Sequence, residues 1–261
     1  MRPVPVLMYH HVNPHKGDMV TVTPDVFEGQ MAYLAKAGFR TLSLDELFSF
    51  ITGRLDLKQR AVAITFDDGW LDNFIYAFPV LEKYGLRASI FVTTDWIERA
   101  SEKSCGIPSL VPSHEESKNL VIKGEEQKVV LTWKLIEEMA DSALIDFYSH
   151  TRTHRAGSRL TETELVSELK ESKDMLEKRL AKPCPFLCWP YGDYTDMAVT
   201  LSRAIGYRAL FTVAHGVTKT GSDPFAVKRI VIKDNVSWFR KKMLIYSHPV
   251  LSWLYLRIKK R

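Results

Sequence analysis

The chain has 261 residues, of which 46% are hydrophobic and 26% are charged, a composition that excludes a disordered or fibrous protein and suits one large α/β domain. The formal net charge of +5 is concentrated in residues 235–261, which contain seven basic and no acidic side chains. The rest of the chain carries 29 basic and 31 acidic side chains and no recognisable nucleic-acid motif, so nucleic acid is excluded as a partner.

Strand and helix patterns alternate along the chain. Apolar, β-branched runs predict six strands, at Val4–Tyr9, Ala61–Phe66, Ala88–Thr93, Leu144–Tyr148, Pro185–Trp189 and Arg208–Val213. Segments with helical spacing predict helices that begin at Thr23-Pro24 and end at Gly38, and others at Leu44–Ile51, Leu71–Tyr84, Trp133–Asp141, Thr161–Leu180 and Thr195–Ile205. This alternation predicts a mostly parallel sheet with about seven βα repeats, enough for a closed or nearly closed barrel.

The N-terminal segment and the cysteines indicate in which cellular compartment the protein works. The N-terminal "MRPVPVLMYHHV" has a short apolar run broken by prolines, which is typical of a first strand rather than a signal peptide. Cys105, Cys184 and Cys188 are odd in number and form no Cys-x-x-Cys pair, so a reducing compartment fits. We therefore expect a cytoplasmic protein.

One segment, Ser101 to Lys128, is polar, charged and weakly periodic. Its length is typical of an insertion rather than of a core element. Because it follows the predicted strand Ala88–Thr93, it should lie at the rim formed by the carboxyl ends of the strands. It is either a surface excursion or a lid over a substrate.

The stretch "AVAITFDDG" delivers Asp67 and Asp68 to the end of a buried strand. Asp-Gly after an apolar run is a common turn signal, so a simple turn is one interpretation. The other is a site, because adjacent carboxylates repel and need a compensating partner when they are buried. Partners elsewhere on the same rim would decide between the two.

Other strand ends carry candidate partners. "IDFYSHTRTH" has His150 and His154 four residues apart, and a helix there would put both imidazoles on one face, as a divalent metal requires. "FLCWPYGDY" has a turn centred on Tyr191 that can aim backbone N–H groups inward. "VLMYHHV" has His10 and His11, of which at most one should enter the site, since consecutive strand residues point to opposite faces.

Together "TFDDG", "SHTRTH" and "WPYG" resemble the first three motifs of the polysaccharide deacetylase family, also called carbohydrate esterase family 4 or NodB-homology proteins. Their order and spacing match over roughly residues 1–232. The opening "LMYHHV" and the later "VKRIVI" look most like the branch of the poly-N-acetylglucosamine deacetylases.

The resemblance implies an α/β fold, a distorted (β/α)7-type barrel forming one domain over residues 1–234, with the insertion at about 101–128 and a basic, apolar tail at 235–261. It also implies metal-dependent removal of N-acetyl groups from amino sugars. By position, Asp68, His150 and His154 would hold the metal and Asp67 would be the general base. The Tyr191 N–H would stabilise the oxyanion. Two imidazoles and one carboxylate favour Zn²⁺, although Co²⁺, Ni²⁺ or Fe²⁺ suit the same ligands.

The chain departs from the family pattern at two places. Many members have an arginine that pairs with the catalytic base at the position of Cys188 here, so we expect a backbone or water contact to orient the base, or reduced activity. Many members also take their histidine acid from a late Leu-x-His motif, and "IYSHPV" offers His248 in the tail. The branch this chain resembles supplies that histidine from its first strand, which assigns the general acid to His10 and leaves His11 packed elsewhere.

The predicted substrate is an N-acetylated amino sugar in a surface-polysaccharide or glycolipid intermediate, whether lipid-linked, nucleotide-linked or oligomeric. Two alternatives stay open, a catalytically silent carbohydrate-binding protein and an amidohydrolase acting on a non-sugar amide. The tail reads "WFRKKMLIYSHPVLSWLYLRIKKR", and its apolar run is too short to cross a bilayer. It either closes the barrel or makes peripheral contact with the inner membrane face.

Overall fold

The structure, a computed structural model, describes residues 2–103, 106–108 and 110–258. Over these ranges the strands are β1 (Val6–Tyr9), β2 (His11–Val12), β3 (Thr21–Val22), β4 (Arg40–Thr41), β5 (Ala61–Phe66), β6 (Ala88–Val92), β7 (Ile145–Ser149), β8 (Phe186–Cys188), β9 (Ala209–His215) and β10 (Val227–Val231). The α-helices there are α1 (Pro24–Lys36), α2 (Leu44–Ile51), α3 (Phe78–Tyr84), α4 (Thr94–Glu102), α5 (His114–Ile122), α6 (Trp133–Asp141), α7 (Glu162–Leu180), α8 (Asp196–Ile205), α9 (Val236–Tyr246) and α10 (Pro249–Ile258). Cys105 lies outside the described residues.

A closed ring of parallel strands forms the centre of the molecule. The sheet runs β1-β10-β9-β8-β7-β6-β5-β4, and β1 also pairs with β5, so that seven strands close into a barrel. The short strand β4 pairs in parallel with the first residues of β5, outside the ring. The helices surround this barrel, and the α/β barrel predicted from the sequence is confirmed.

The predicted elements agree closely with the observed ones, with two instructive differences. The stretch predicted as one helix over Leu71–Tyr84 begins instead with a π-helical turn, Asn73–Ala77, and becomes α-helical only at Phe78. Pro79 has no N–H to give to the carbonyl four residues earlier, which breaks the regular pattern there. The strand β10 was not predicted as an element, because Lys228 and Arg229 interrupt its apolar run.

The segment expected to be an insertion joins the barrel rim. It contains α5, which begins at a capping box formed by Ser113 and Glu116. After α5 the chain returns past the site, where Val130 forms an antiparallel bridge with Trp70. The buried carboxylate of Glu126 accepts a hydrogen bond of 2.7 Å from Arg99 Nε on α4. These contacts fix the segment beside the end of β5.

The last two helices differ in how they pack. Three side chains of α9, Phe239, Met243 and Tyr246, are buried in the same core as the barrel. Only Ser252 of α10 is buried among its described residues. None of the described helices is both long enough and apolar enough to cross a membrane.

Candidate active site

The two aspartates lie in a tight turn at the carboxyl end of β5. Asp68 and Gly69 have φ values of 76° and 79°, both in the left-handed region. A Cβ at Gly69 would lie 2.9 Å from Val92 Cγ1, so only glycine fits there without displacing the neighbouring strand. The two interpretations of "TFDDG" are therefore compatible, since a strained turn is what presents both carboxylates to the rim.

Asp68, His150 and His154 bring three ligand atoms together. The Nε2 atoms of His150 and His154 lie 3.2 and 3.1 Å from Asp68 Oδ1, and the three side chains form a group that could hold a metal ion. Oδ1 is buried and accepts no hydrogen bond of good geometry among the described residues. Ligands that each lie about 2.0–2.2 Å from a tetrahedral zinc ion are separated by about 3.3 Å. The residues therefore fit a divalent metal in both chemistry and spacing.

Neighbouring groups orient the three ligands. His150 Nδ1 contacts the carbonyl oxygen of Cys188 at 2.8 Å, and His154 Nδ1 contacts the hydroxyl of Tyr191 at 3.2 Å. Trp70 Nε1 donates a 2.8 Å hydrogen bond to Asp68 Oδ2. Each partner engages the atom that faces away from the cluster, so both Nε2 atoms and Oδ1 are left to face one another.

His150 and His154 converge without the helix that was considered for their spacing. The residues after β7 form a loop, in which Thr151 and His154 have φ values of 66° and 63°. The buried carboxylate of Glu168 on α7 accepts hydrogen bonds from the backbone N–H groups of Arg152 and Thr153. These bonds replace those of a helix, so the two imidazoles converge through a folded loop.

Asp67 is held by an arginine that the sequence interpretation missed. Arg229 of β10 is fully buried and donates two parallel hydrogen bonds of 2.7 Å to the two oxygens of Asp67. Its Nη2 also lies 2.9 Å from Cys188 Sγ. The expectation of a backbone or water contact is therefore corrected, because a guanidinium from a different strand occupies the space beside Cys188.

This pairing determines the ionisation of Asp67. Burial alone would raise the pKa of Asp67, but the charge and hydrogen bonds of Arg229 outweigh burial and hold that pKa below its ordinary value. Burial raises the pKa of the Cys188 thiol despite the opposing effect of Arg229. At neutral pH the group therefore contains a carboxylate, a guanidinium and a neutral thiol. A charged residue in the apolar "VKRIVI" was the one sequence signal that could have revealed this partner.

The two adjacent histidines separate as their alternation predicts. His10 lines the site, with Nε2 3.8 Å from Asp67 Oδ2. Burial lowers the pKa of His10 and outweighs the nearby carboxylates, which would raise it. His11 points away into a buried network, where Nδ1 contacts Asp72 Oδ2 at 2.6 Å and the ring stacks on Trp70. His248 is exposed after α9 and is not among the residues that line the site.

A cavity of about 320 Å³ lies over these groups, a size within the usual range for small-molecule sites. It is lined by Asp67, Asp68, His10, His150, His154 and Tyr191, together with Trp70, Trp96 and Trp189. One wall is the α5 helix of the insertion, whose His114, Lys118, Val121 and Ile122 follow the spacing of a single helical face. The sequence interpretation placed the insertion on this rim but gave no residues for it.

A second possible metal group consists of Asp67, His150 and Cys188. Both oxygens of Asp67 and the Cys188 sulfur are already engaged by Arg229. This group shares His150 with the first and is poorly suited to a cation, because the guanidinium carries its own positive charge.

Comparisons with known proteins agree with this geometry. YxkH of Bacillus subtilis (strain 168) is 28% identical over 234 residues, which cover 90% of this chain and 73% of YxkH. The poly-beta-1,6-N-acetyl-D-glucosamine N-deacetylase of Escherichia coli (strain K12) is 22% identical over 264 residues, covering 88% of this chain and 37% of that protein. The structure of the Streptococcus pyogenes deacetylase PplD in complex with acetate matches with a TM-score of 0.78 and 24% identity, covering 92% of this chain and 98% of that one.

Residues 54–210 match the family model described as polysaccharide deacetylase. The match includes the Asp67-Asp68 turn, the histidine loop and the turn at Tyr191. The predicted similarity to the poly-N-acetylglucosamine deacetylase branch is also confirmed by the E. coli relative. The chain belongs to the polysaccharide deacetylase family.

Proposed function

We propose that this protein removes the acetyl group from an N-acetylated amino sugar by metal-dependent hydrolysis. One observation supports this most directly. One cavity is lined by the possible metal ligands Asp68, His150 and His154, by the Asp67 carboxylate that pairs with Arg229, and by a third histidine, His10. That set supplies a metal site, a base and an acid within reach of a single bound amide.

Asp68, His150 and His154 would hold the ion, and zinc suits their two imidazoles and one carboxylate best. When bound, such an ion supplies Lewis-acid polarisation of the acetamide carbonyl and positive charge for the developing oxyanion. Burial would raise the pKa of Asp68, but the close imidazoles of His150 and His154 hold it well below its ordinary value, so this ligand is ionised at neutral pH.

Asp67 acts as the general base in this proposal. Arg229 holds its carboxylate in one orientation and keeps it ionised, while each oxygen retains lone pairs that can accept a proton from the attacking water. His10 is neutral at rest because burial lowers its pKa, and its Nε2 lies 3.8 Å from Asp67 Oδ2, so it can take the proton that Asp67 has accepted and donate it to the departing amine nitrogen. The Tyr191 N–H stays the predicted donor to the oxyanion.

The substrate is an amino sugar in a surface-polysaccharide or glycolipid intermediate, carried on a lipid, a nucleotide or a short oligomer. The α5 wall and the three tryptophans bound a cavity that suits one sugar residue, since sugars present apolar faces to aromatic rings. We propose that the reaction takes place in a reducing compartment such as the cytoplasm, in which the free thiols of Cys184 and Cys188 persist. Arg229 removes the main argument for a catalytically silent protein, which was the missing partner of the base.

The experiment is a substrate panel. Zinc-loaded protein is incubated separately with UDP-N-acetylglucosamine, a lipid-linked N-acetylamino sugar and N-acetylglucosamine oligomers, and mass spectrometry follows the loss of one acetyl group. Free acetate is measured in parallel. We expect acetate release from at least one of these substrates, and the preferred one identifies the carrier. Acetate release from none of them, by a protein that retains zinc, would contradict the proposal.

A further inference from the structure

The helix α10 has an apolar surface that the other described residues of the chain leave exposed. The exposed residues of α10 are Val250, Leu251, Trp253, Leu254, Arg257 and Ile258, apart from Pro249 at its start. At about 100° per residue, these six lie within an arc of about 160° around the helix axis. Trp253 is 49% exposed and Ile258 is 73% exposed. Five of the six side chains in this arc are apolar.

The opposite side of α10 attaches the helix to the protein. Ser252 is buried, Tyr255 and Leu256 are half-buried, and Tyr255 contacts the ring of Tyr246 on α9 with centroids 5.7 Å apart. Lys242 Nζ donates a 2.5 Å hydrogen bond to the Tyr255 hydroxyl. The helix is therefore held on its polar and aromatic side, which turns its apolar side outward. The expectation that the tail packs on the barrel fits α9, because its Phe239, Met243 and Tyr246 side chains are buried in the barrel core.

Charge identifies what this surface would meet. Residues 235–261 carry seven basic side chains and no acidic ones. Arg257 lies on the exposed arc itself, with its guanidinium 4.7 Å from the ring centroid of Trp253. A second copy of the chain meeting through α10 would bring two cationic segments together without a carboxylate from either. An anionic surface with an apolar interior satisfies both the charges and the exposed side chains.

We propose that α10 is an interfacial helix that docks the protein on an anionic lipid bilayer. Val250, Leu251, Trp253, Leu254 and Ile258 enter the boundary between headgroups and acyl chains, where tryptophan is favoured. Arg257 contacts the lipid phosphates, and the exposed Lys241 of α9 adds to the positive charge near the membrane. This docking is independent of the proposed hydrolysis and depends only on the exposed arc and its charge.

The test uses the full-length protein and flotation with vesicles of phosphatidylcholine, with or without about one-third phosphatidylglycerol as the anionic lipid. We expect the wild type to float with the anionic vesicles at low salt and less at high salt. Leu254→Glu should reduce binding at least about tenfold, because it replaces an apolar side chain that would enter the bilayer by a charge. Lys241→Gln should weaken binding to anionic vesicles about fivefold.

Met197→Glu is the matched control, since Met197 is an exposed apolar residue on α8 and should leave binding unchanged. Thermal unfolding and zinc content establish that each variant is folded. Brominated lipid should quench tryptophan fluorescence in the wild type and less in Trp253→Phe.

Three results would overturn the proposal. The first is that the wild type stays unbound with both vesicle compositions. The second is that Leu254→Glu binds vesicles as tightly as the wild type. The third is a lipid-free dimer that Leu254→Glu converts to a monomer, with no vesicle binding, which would assign the surface to a second copy of the chain.

Discussion

At the scale of single residues, the pairing of Asp67 with Arg229 is the feature that most constrains the chemistry. The guanidinium holds the pKa of Asp67 below its ordinary value against the effect of burial, so the base is ionised through the neutral range. In a plot of kcat/KM against pH, the decrease on the acidic side should therefore occur at low pH, where the Asp67 carboxylate takes up a proton. Stability that depends on this ionised pair is present at neutral pH and is lost as the pH falls through the lowered pKa.

Arg229→Lys should move the acidic limb of kcat/KM to higher pH, because the paired hydrogen bonds that lower the pKa of Asp67 are lost. The rate at neutral pH should fall about 10- to 100-fold, as is usual when a group that orients an active-site residue is removed. Lysine keeps the buried positive charge, which guards against unfolding. The measurement is a pH–rate profile with zinc content recorded alongside. An unchanged acidic limb would mean that Arg229 does not tune the base.

Asp68→Ala and His154→Ala should each lose the metal. The three ligands act as one site, so removing any of them should weaken zinc binding by several kcal/mol. Elemental analysis after dialysis against a weak chelator measures the retained zinc, and His10→Ala serves as a control that keeps it. Full zinc occupancy in either ligand variant would show that the assignment of the cluster is wrong.

The adjacent histidines should separate function from stability. His10→Ala should reduce kcat with little change in the free energy of unfolding, because His10 lines the cavity and is partly exposed. His11→Ala should lower the free energy of unfolding by about 1–3 kcal/mol, because it removes the imidazole partner of the buried Asp72 carboxylate and leaves only the hydrogen bonds from Asn13 and from neighbouring groups. Urea unfolding and steady-state kinetics on both variants measure the two effects. The reverse pattern would exchange the roles of the two residues.

At the scale of elements, the α5 helix forms one side of the site and should influence substrate binding. Val121→Trp enlarges a side chain that lines the cavity, so KM for the amino-sugar substrate should rise several-fold while zinc content stays constant. Asn119→Trp, on an exposed part of the same helix, is the matched control. Equal kinetic effects of the two variants would show that α5 does not contact the substrate.

The parts of the site that the sequence could predict are those that depend on a single secondary-structure element. The strand ends that carry Asp67, His150 and Tyr191 were predictable because apolar, β-branched runs and turn residues are local signals. The fold of the histidine loop could not be predicted from the sequence, because the carboxylate that accepts its backbone hydrogen bonds, Glu168, belongs to another element. Arg229 was missed for the same reason, since its partner Asp67 is 162 residues away in the chain. Only the closed barrel brings those two side chains together.

At the scale of the whole molecule, closure of the ring is what assembles the site. His10 follows the first strand of the barrel and Arg229 belongs to the last, and both reach Asp67 because β1 pairs with both β5 and β10. In an open sheet of the same order, β1 and β5 would lie far apart. Closure of the barrel therefore places the base, the acid and the arginine next to one another. The helix α10 packs on the outside of this core and exposes its apolar side.

The central claim is hydrolysis of an N-acetyl group with Asp67 as the base, and a comparison of Asp67→Asn with the wild type tests it most directly. Both proteins are loaded with zinc, their metal content is measured, and acetate release from the preferred substrate of the panel is followed. We expect equal zinc content, the same fold and a kcat lowered by a factor on the order of 10² to 10⁴ in Asp67→Asn. Acetate release at the wild-type rate by zinc-loaded Asp67→Asn would contradict the account.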